Sequence, residues 1–305
     1  MTTTQAYHIV EQFFDEAVTM RSQFDQHVGT PYGRPDSPYQ VWDYWHVPGM
    51  YTYLKTAPSR ILSSHLLHLF MGQLRSYALE HLGLTTVTEP YLSLYVNGCG
   101  QGLHNDSTNG SFAYVYSLTN WDSRIFTGGE TLLWADTTYW ESGRFKQGGA
   151  GTSFYQLIPA RFNQLVLFDD RFIHAVQPMS GTMNPKEGRL VLHGHIQAGD
   201  TQVDGTLSLR EVRPLLSDYE QATSSVFRSL TSLAHGYVSF RLDVSPDGRV
   251  AEARVVGNRL LDGQGREHHP EIEQLVQRLR NELGEMRFPS TTGRTTITWP
   301  ITCSS

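Results

Sequence analysis

Between Tyr91 and Ile196 the sequence breaks into short strand-like segments, separated by turn residues and with no intervening helix. The segments are Tyr91–Val96, Phe112–Leu118, Glu130–Trp134, Ser153–Ile158, Gln164–Phe168, Phe172–Val176 and Arg189–Ile196. In the first, Tyr91, Ser93 and Tyr95 share one face while Leu92, Leu94 and Val96 share the other. The turns between segments include residues 127–129 (TGG) and 147–151 (QGGAG). A short strand with one apolar face must bury that face against a second layer. Such a succession with no intervening helix predicts a jelly-roll, the double-stranded β-helix architecture.

The flanking sequence predicts helices and a second, smaller unit. Residues 5–27 place Ile9, Phe13, Phe14, Val18 and Met20 at roughly helical spacing, and residues 29–38 (GTPYGRPDSP) then break the pattern. Residues 41–48 (VWDYWHVP) are dense in aromatics and read as packing against the barrel wall or as a wall of a substrate pocket. A second helix is predicted over 59–81, with Leu62, Leu66, Leu69, Leu74 and Leu79 as its stripe and Gly83 as its C-cap. The predicted organisation is a domain over 1–199, divided into a helical part (1–88) and a jelly-roll (89–199). A connector over 200–234 follows, and then a small ββαβ domain over 235–305. In that last domain residues 237–244 and 249–256 alternate about a turn at 245–248 (SPDG), residues 270–286 read as helix, and 295–301 as a final strand. The fold class is therefore mostly β with flanking helices, plus a small α+β C-terminal domain.

Composition excludes several classes of function. With 24 basic against 30 acidic side chains, the net charge is −6, and no basic cluster suited to phosphate neutralisation occurs, so no nucleic-acid partner is expected. Only Cys99 and Cys303 are present, which fits a reducing compartment. The first residues lack a signal-peptide pattern, and no stretch approaches 18 apolar residues, so a cytoplasmic protein without a membrane partner is expected.

The chemistry-bearing residues follow the first segment. After Asn97, Gly98 and Gly100, the chain presents His104 and Asp106 two residues apart, with His174 far along and Arg189 fifteen residues after that. Two imidazoles and one carboxylate compose the facial triad of non-haem Fe(II) sites, which leaves three coordination positions open. His65 with His68 and His268 with His269 lack an acidic partner at ligand spacing and read as structural or solvated. The glycines at 148, 149 and 151 lack the strand-then-helix context of a phosphate loop.

The words around these residues carry a resemblance. Tyr95 and Gly98 precede His104, residues 128–131 (GGET) open a strand before Trp134, residues 163–169 (NQLVLFD) precede His174, and Gly188-Arg189-Leu190 begins the last strand. Over roughly residues 91–197 the chain resembles the prolyl-4-hydroxylase-like branch of the Fe(II)/2-oxoglutarate oxygenases. The resemblance implies that His104, Asp106 and His174 bind Fe(II), and that Arg189, with Tyr95, holds the distal carboxylate of 2-oxoglutarate. Many members carry Lys at the Arg189 position. The implied reaction consumes O2 and hydroxylates an unactivated C–H bond with release of succinate and CO2, with ascorbate as a reductant. Desaturation or cyclisation would use the same residues, and a metal-binding sensor without turnover is the alternative of a different class. On the last strand His193 and His195 share a face with Arg189, and His193 reads either as a substrate-facing group or as a buried structural His. The C-terminal ββαβ order, with its Phe288-Pro289 step, weakly resembles the C-terminal domain of TonB-type energy transducers, although the membrane anchor those proteins need is not seen. The expected partner is a small-molecule or peptide substrate carrying an amino-acid portion. The C-terminal unit is expected to recruit that substrate or to form a homodimer contact.

Overall fold

The computed structural model describes residues 4–29, 41–107, 109–134 and 155–303, so the turn at 147–151 and most of the break at 29–38 lie outside the described residues. In chain order the N-terminal elements are β1 (Tyr7–Val10), α1 (Ala17–Gly29), β2 (Asp43–Val47), β3 (Tyr51–Thr56), α2 (Ser64–Tyr77) and β4 (Thr86–Val87). The central strands are β5 (Tyr91–Tyr95), β6 (Gly100–His104), β7 (Phe112–Ser117), β8 (Thr131–Leu133), β9 (Gln156–Ile158), β10 (Gln164–Asp169), β11 (His174–Val176) and β12 (Arg189–Gln197). The chain continues with β13 (Gln202–Gly205), α3 (Leu209–Ala222), α4 (Ser224–Leu233), β14 (Ala234–Val244), β15 (Val250–Asn258), β16 (Leu261–Asp262), α5 (Pro270–Gly284) and β17 (Thr295–Cys303). Two compact units result: one comprises Ala6–Leu74 and Thr88–His195, the other Met1–Gln5, Arg75–Val87 and Ile196–Ser305.

The first unit is a double-stranded β-helix. Its strands run in the order β1, β10, β7, β12, β5, β3, β6, β11, β8, β9. Of the eight strands β5 to β12, one set is ordered β10-β7-β12-β5 and the other β6-β11-β8-β9, with β3 bonded to both β5 and β6. Neighbours throughout are antiparallel, which is the pairing of a sheet folded over on itself. Ala113, Leu133, Ile158, Val166, Phe168 and Phe172 fill the space between the layers. Fully burying a side chain the size of Phe168, 1% exposed, contributes on the order of 1.5–3 kcal/mol.

The N-terminal part is less helical than its sequence predicts. Residues 7–10 form a strand on β10, and helix begins only at Ala17. The reason is Asn163, which adopts a left-handed φ of 59° between β9 and β10. Its backbone carbonyl accepts the Phe13 N–H, its Oδ1 accepts the Phe14 N–H, and its Nδ2 donates to the Phe14 carbonyl. Phe13 and Phe14 are thereby buried by a non-helical backbone. The aromatic stretch at 41–48 forms β2, which pairs with β3 as a hairpin. Helix α2 is shorter than predicted, spanning Ser64–Tyr77, and is followed by one wider turn over Ala78–Leu82. Gly83 then caps the helix in the left-handed conformation, as the sequence predicts.

The second unit holds a small sheet in the order β13-β17-β14-β15, covered by α3, α4 and α5. The predicted ββαβ elements are all present. The turn at 245–248 closes with Gly248 donating to the Ser245 carbonyl at φ 80°. Between 200 and 234 the chain contributes β13, α3 and α4, and Leu207, Val212, Leu216, Val226, Phe227 and Leu230 enter the same core as β14 and β17. Helix α3 starts with a capping box between Ser208 and Glu211. Ile196 and Gln197 pair with β4 at Val87 and Thr86. Among the described residues no helix is long and apolar enough to cross a membrane.

Candidate metal centre

The three residues of the predicted triad converge. His104 ends β6 and His174 begins β11, and they stand directly opposite each other in the ladder. Their ring centroids lie 4.2 Å apart. Asp106 follows two residues after His104, and its Oδ2 is 3.4 Å from His174 Nε2. One ligand atom from each of the three lies within 4.8 Å of the other two. A ladder slip makes this convergence work. His174 pairs with His104 but Val176 pairs with Gln101, so β6 carries an extra residue that turns His104 inward beside Gln101.

Both imidazoles are anchored through Nδ1. His104 Nδ1 donates to the Gly102 carbonyl at 2.7 Å, and His174 Nδ1 donates to the Phe172 carbonyl at 3.0 Å. The Nε2 of each ring then faces the common point, the nitrogen through which imidazole would ligate a metal. Burial, with the neighbouring His174, lowers the His104 pKa below its ordinary value and favours the neutral ring. For Asp106 burial acts upward, but the hydrogen bond to His174 and the surrounding His charges outweigh it, so its carboxyl stays below the usual range. The supporting backbone is tightly specified. A Cβ on Gly102 would meet the Gly49 carbonyl oxygen at 2.6 Å. Asp169 grips Arg171 through both carboxylate oxygens and accepts the Phe172 N–H, which fixes the turn carrying the Phe172 carbonyl.

Arg189 and Tyr95 pair across β12 and β5 on the inner face. Arg189 is 1% exposed, its guanidinium carbon lies 4.7 Å from the Tyr95 ring centroid, and Nη2 donates to the Thr131 hydroxyl. Among the described residues its Nε and Nη1 meet no acceptor in hydrogen-bond geometry, with Tyr95 the neighbouring polar side chain. Burial lowers its pKa, while Tyr95 and Glu130 act to retain the charge. Thr131 is positioned by the Gly128-Gly129 turn. Gly128 has φ 77°, and a Cβ there would fall 2.1 Å from the Pro178 carbonyl oxygen.

No family model and no curated protein sequence matches this chain. Solved structures do resemble it. A prolyl-4-hydroxylase from Pseudomonas putida is 16% identical with a TM-score of 0.44, over 64% of this chain and 94% of that one. The non-haem α-ketoglutarate-dependent epimerase SnoN of nogalamycin biosynthesis is 12% identical with a TM-score of 0.41, over 62% and 75%. A viral collagen prolyl hydroxylase from Paramecium Bursaria Chlorella virus-1, solved with 2-oxoglutarate, is 10% identical with a TM-score of 0.39, over 64% and 97%. Similarity at this level is too low to transfer a role to any residue, so the site is read from its own geometry.

The structure adds residues that the sequence did not single out. Asp170, fully buried, is bonded to His195 Nδ1 at 3.1 Å, and its backbone carbonyl accepts the Asp106 N–H. Burial pushes the Asp170 carboxyl up to about 6, against the opposing effect of His195. Asp106, Asp170 and His195 also bring ligand atoms within 4.8 Å of one another, so this pair braces the carboxylate side of the triad. Tyr51 of β3 meets the His104 ring edge-on at 5.1 Å, and Tyr53 stacks on Tyr95 at 5.2 Å. His193 is half-buried with Nε2 bonded to Ser93 Oγ at 2.8 Å. Burial and the nearby Lys55 and Arg189 charges push it down to about 3, so it is neutral. The strand period had already placed His193 and His195 on the face of Arg189, whereas nothing in sequence spacing marked Asp170, Tyr51 or Tyr53.

Proposed function

We propose that this chain is an Fe(II)/2-oxoglutarate-dependent dioxygenase, similar to the prolyl-4-hydroxylase-like branch, that hydroxylates an unactivated C–H bond of an amino acid or peptidyl residue. The observation that carries the reading is a two-His, one-carboxylate cluster in the same compact unit as a buried guanidinium, two of whose nitrogens lack a hydrogen-bond partner among the described residues. A buried cation lacking hydrogen-bond partners is costly, and a bidentate carboxylate supplies what Arg189 lacks. The donor set suits a divalent iron with three open positions. Iron, when bound, supplies the redox chemistry that couples O2 and the 2-oxo acid to C–H oxidation, leaving succinate and CO2.

The protein's part is geometric and electrostatic. His104 and His174 would present Nε2 to the metal because their Nδ1 protons are held by Gly102 and Phe172. Asp106 would supply the anionic ligand. Arg189, braced by Thr131 and lying over Tyr95, would fix the distal carboxylate of the cosubstrate. The burial of His174 and Arg189 limits water on their side of the site.

The test is conversion of 2-oxoglutarate to succinate by aerobic protein loaded with Fe(II), alone and with peptide or amino-acid candidates. Asp106→Ala is expected to abolish product formation and weaken iron binding, since it removes the one carboxylate of the triad. Full product formation by that variant would sink the assignment. A jelly-roll that only binds metal would show no succinate with any candidate.

A further inference from the structure

We infer that Lys55 is the substrate-reading cation of this site, and that it takes the carboxylate of a short peptide-like acid. The direction of binding rests on the reading above, because it sets the substrate's reacting end at His104, Asp106 and His174.

The inference comes from the inward face of β3. Tyr51, Tyr53 and Lys55 alternate along one face of this strand. Tyr51 lies against His104, Tyr53 stacks on Tyr95, and Lys55 stands opposite Ser93, whose hydroxyl is bonded to His193. Side chains continue without a break from the triad outward. Tyr51 and Tyr53 are 6.3 Å apart by ring centroid, Tyr53 and His193 6.5 Å, and His193 and Tyr91 6.0 Å. The line ends at Lys55, whose Nζ sits 3.6 Å from the Tyr91 ring centroid and 4.6 Å from that of Trp45.

Lys55 is a half-buried ammonium between two aromatic faces, and those faces are themselves open to solvent, Trp45 at 43% and Tyr91 at 47%. Aromatic faces hold a cation but leave its N–H donors short of acceptors. Burial acts on Lys55 against its charge, while Asp43, opposite it in the hairpin, acts to retain it. A carboxylate arriving from solvent can bind the ammonium without displacing either ring. His193 adds a neutral imidazole and no competing negative charge.

The spacing limits the size of the ligand. Tyr51 and Lys55 are four residues apart on one strand, so their backbones are separated by about 13 Å. A free amino acid cannot bridge from Lys55 to the triad. An extended segment of roughly three residues can. Its body would lie along Tyr51, which is partly exposed, while the buried Tyr53 packs behind it on Tyr95. The substrate class is therefore an acid about the size of a tripeptide, oxidised at the end away from its carboxylate.

The experiment compares a library of N-acetyl tripeptides with free C-terminal carboxylates against the same library as C-terminal amides. Two readouts are taken on full-length protein: binding by ligand-observed NMR, and stimulation of succinate release. Wild type is expected to bind the acids about tenfold or more tightly than the amides, in line with one charge-assisted hydrogen bond. Lys55→Met keeps the apolar stem between the two rings and should erase the preference, while Lys55→Arg should retain it. The substrate-free conversion of 2-oxoglutarate and its cosubstrate dependence should be unchanged in both variants. Equal affinity for acids and amides in wild type, including no binding of either, overturns the inference. So does a preference that survives Lys55→Met. A Lys55-dependent preference in a protein that never forms succinate would support the acid-binding role and strike only the oxygenase reading.

Discussion

Arg189 states most directly what the cavity is built to hold. A guanidinium at 1% exposure, with Nε and Nη1 meeting no acceptor among the described residues, is a fitting partner for a planar anion. Removing that anion's partner should therefore be felt in the cosubstrate and not in the metal. Arg189→Gln is expected to raise the apparent requirement for 2-oxoglutarate by roughly tenfold to a thousandfold, the range of a bidentate charged pair in a partly dry site. Iron affinity, measured separately by titration, should barely move, because Arg189 is held by Thr131 and Tyr95 and supplies no metal ligand. An unchanged 2-oxoglutarate dependence would mean that another cation holds that carboxylate. At this scale the sequence was informative where the residues sit in fixed local patterns. His104 and Asp106 lie two apart, His174 follows a strand, and Arg189 opens the next one. Asp170, Tyr51 and Lys55 were not legible in this way. They reach the site through pairings between strands far apart in sequence, and no local spacing encodes those pairings.

Elements were legible wherever their periodicity was not overridden by a distant partner. Strands β5, β7, β10 and β12 and the β14–β15 hairpin form where the sequence predicts strands, and Gly83 ends its helix as expected. Strand β6 was hidden because Gly98, Gly100 and Gly102 resemble a loop, although Gly102 is required there by the approach of the Gly49 carbonyl. Strand β2 was hidden because Asp43 to His46 are exposed on both faces, which removes the alternation of burial that marks a strand. Residues 5–16 failed for a third reason. Their apolar spacing fits a helix, but Asn163 takes the backbone groups of Phe13 and Phe14 into its own hydrogen bonds. Asn163 is 5% exposed, and its Oδ1 also accepts the Tyr116 hydroxyl. Asn163→Ala would leave these groups unsatisfied while still demanding a positive φ, and is expected to cost about 2–4 kcal/mol. Asn163→Gly removes the same side chain without the backbone penalty and should cost less, by about 1 kcal/mol. Urea denaturation followed by near-UV circular dichroism measures both. If the two variants lose equal stability, the left-handed backbone is not part of Asn163's role; if neither loses any, Phe14 is not held by this residue.

At the scale of the whole chain, sequence order and structural units diverge. Residues 75–87 lie before the jelly-roll strands in sequence, yet they belong to the compact unit that also contains 196–305. Within that unit the contacts are specific. The Tyr237 hydroxyl donates to the Leu82 carbonyl at 3.0 Å, Ser239 Oγ donates to the Gly83 carbonyl at 2.7 Å, and Arg241 Nη2 donates to the Leu79 carbonyl. Ala78, Leu82 and Leu84 are completely buried there, and a Cβ on Gly257 would strike the Leu82 carbonyl oxygen at 1.9 Å. Strand β14 is thus the floor on which the end of the second helical segment rests. This arrangement sets what truncation can reveal. Ending the chain after Ala234 would remove β14, β15, α5 and β17, leaving α3, α4 and residues 75–87 with no sheet to cover their apolar faces. Each buried carbonyl that loses its donor costs on the order of 1–3 kcal/mol, and the uncovered leucines add to that, against a total stability of roughly 5–15 kcal/mol. The truncated protein is therefore expected to aggregate or to be cleaved within 75–87 and 196–234 under mild proteolysis, and to lose conversion of 2-oxoglutarate with it. The measurement is size-exclusion chromatography and limited proteolysis beside the succinate assay. A monodisperse, protease-resistant truncation with full turnover would show that residues 75–87 do not depend on β14, and would leave substrate recruitment as the role to seek for the C-terminal elements.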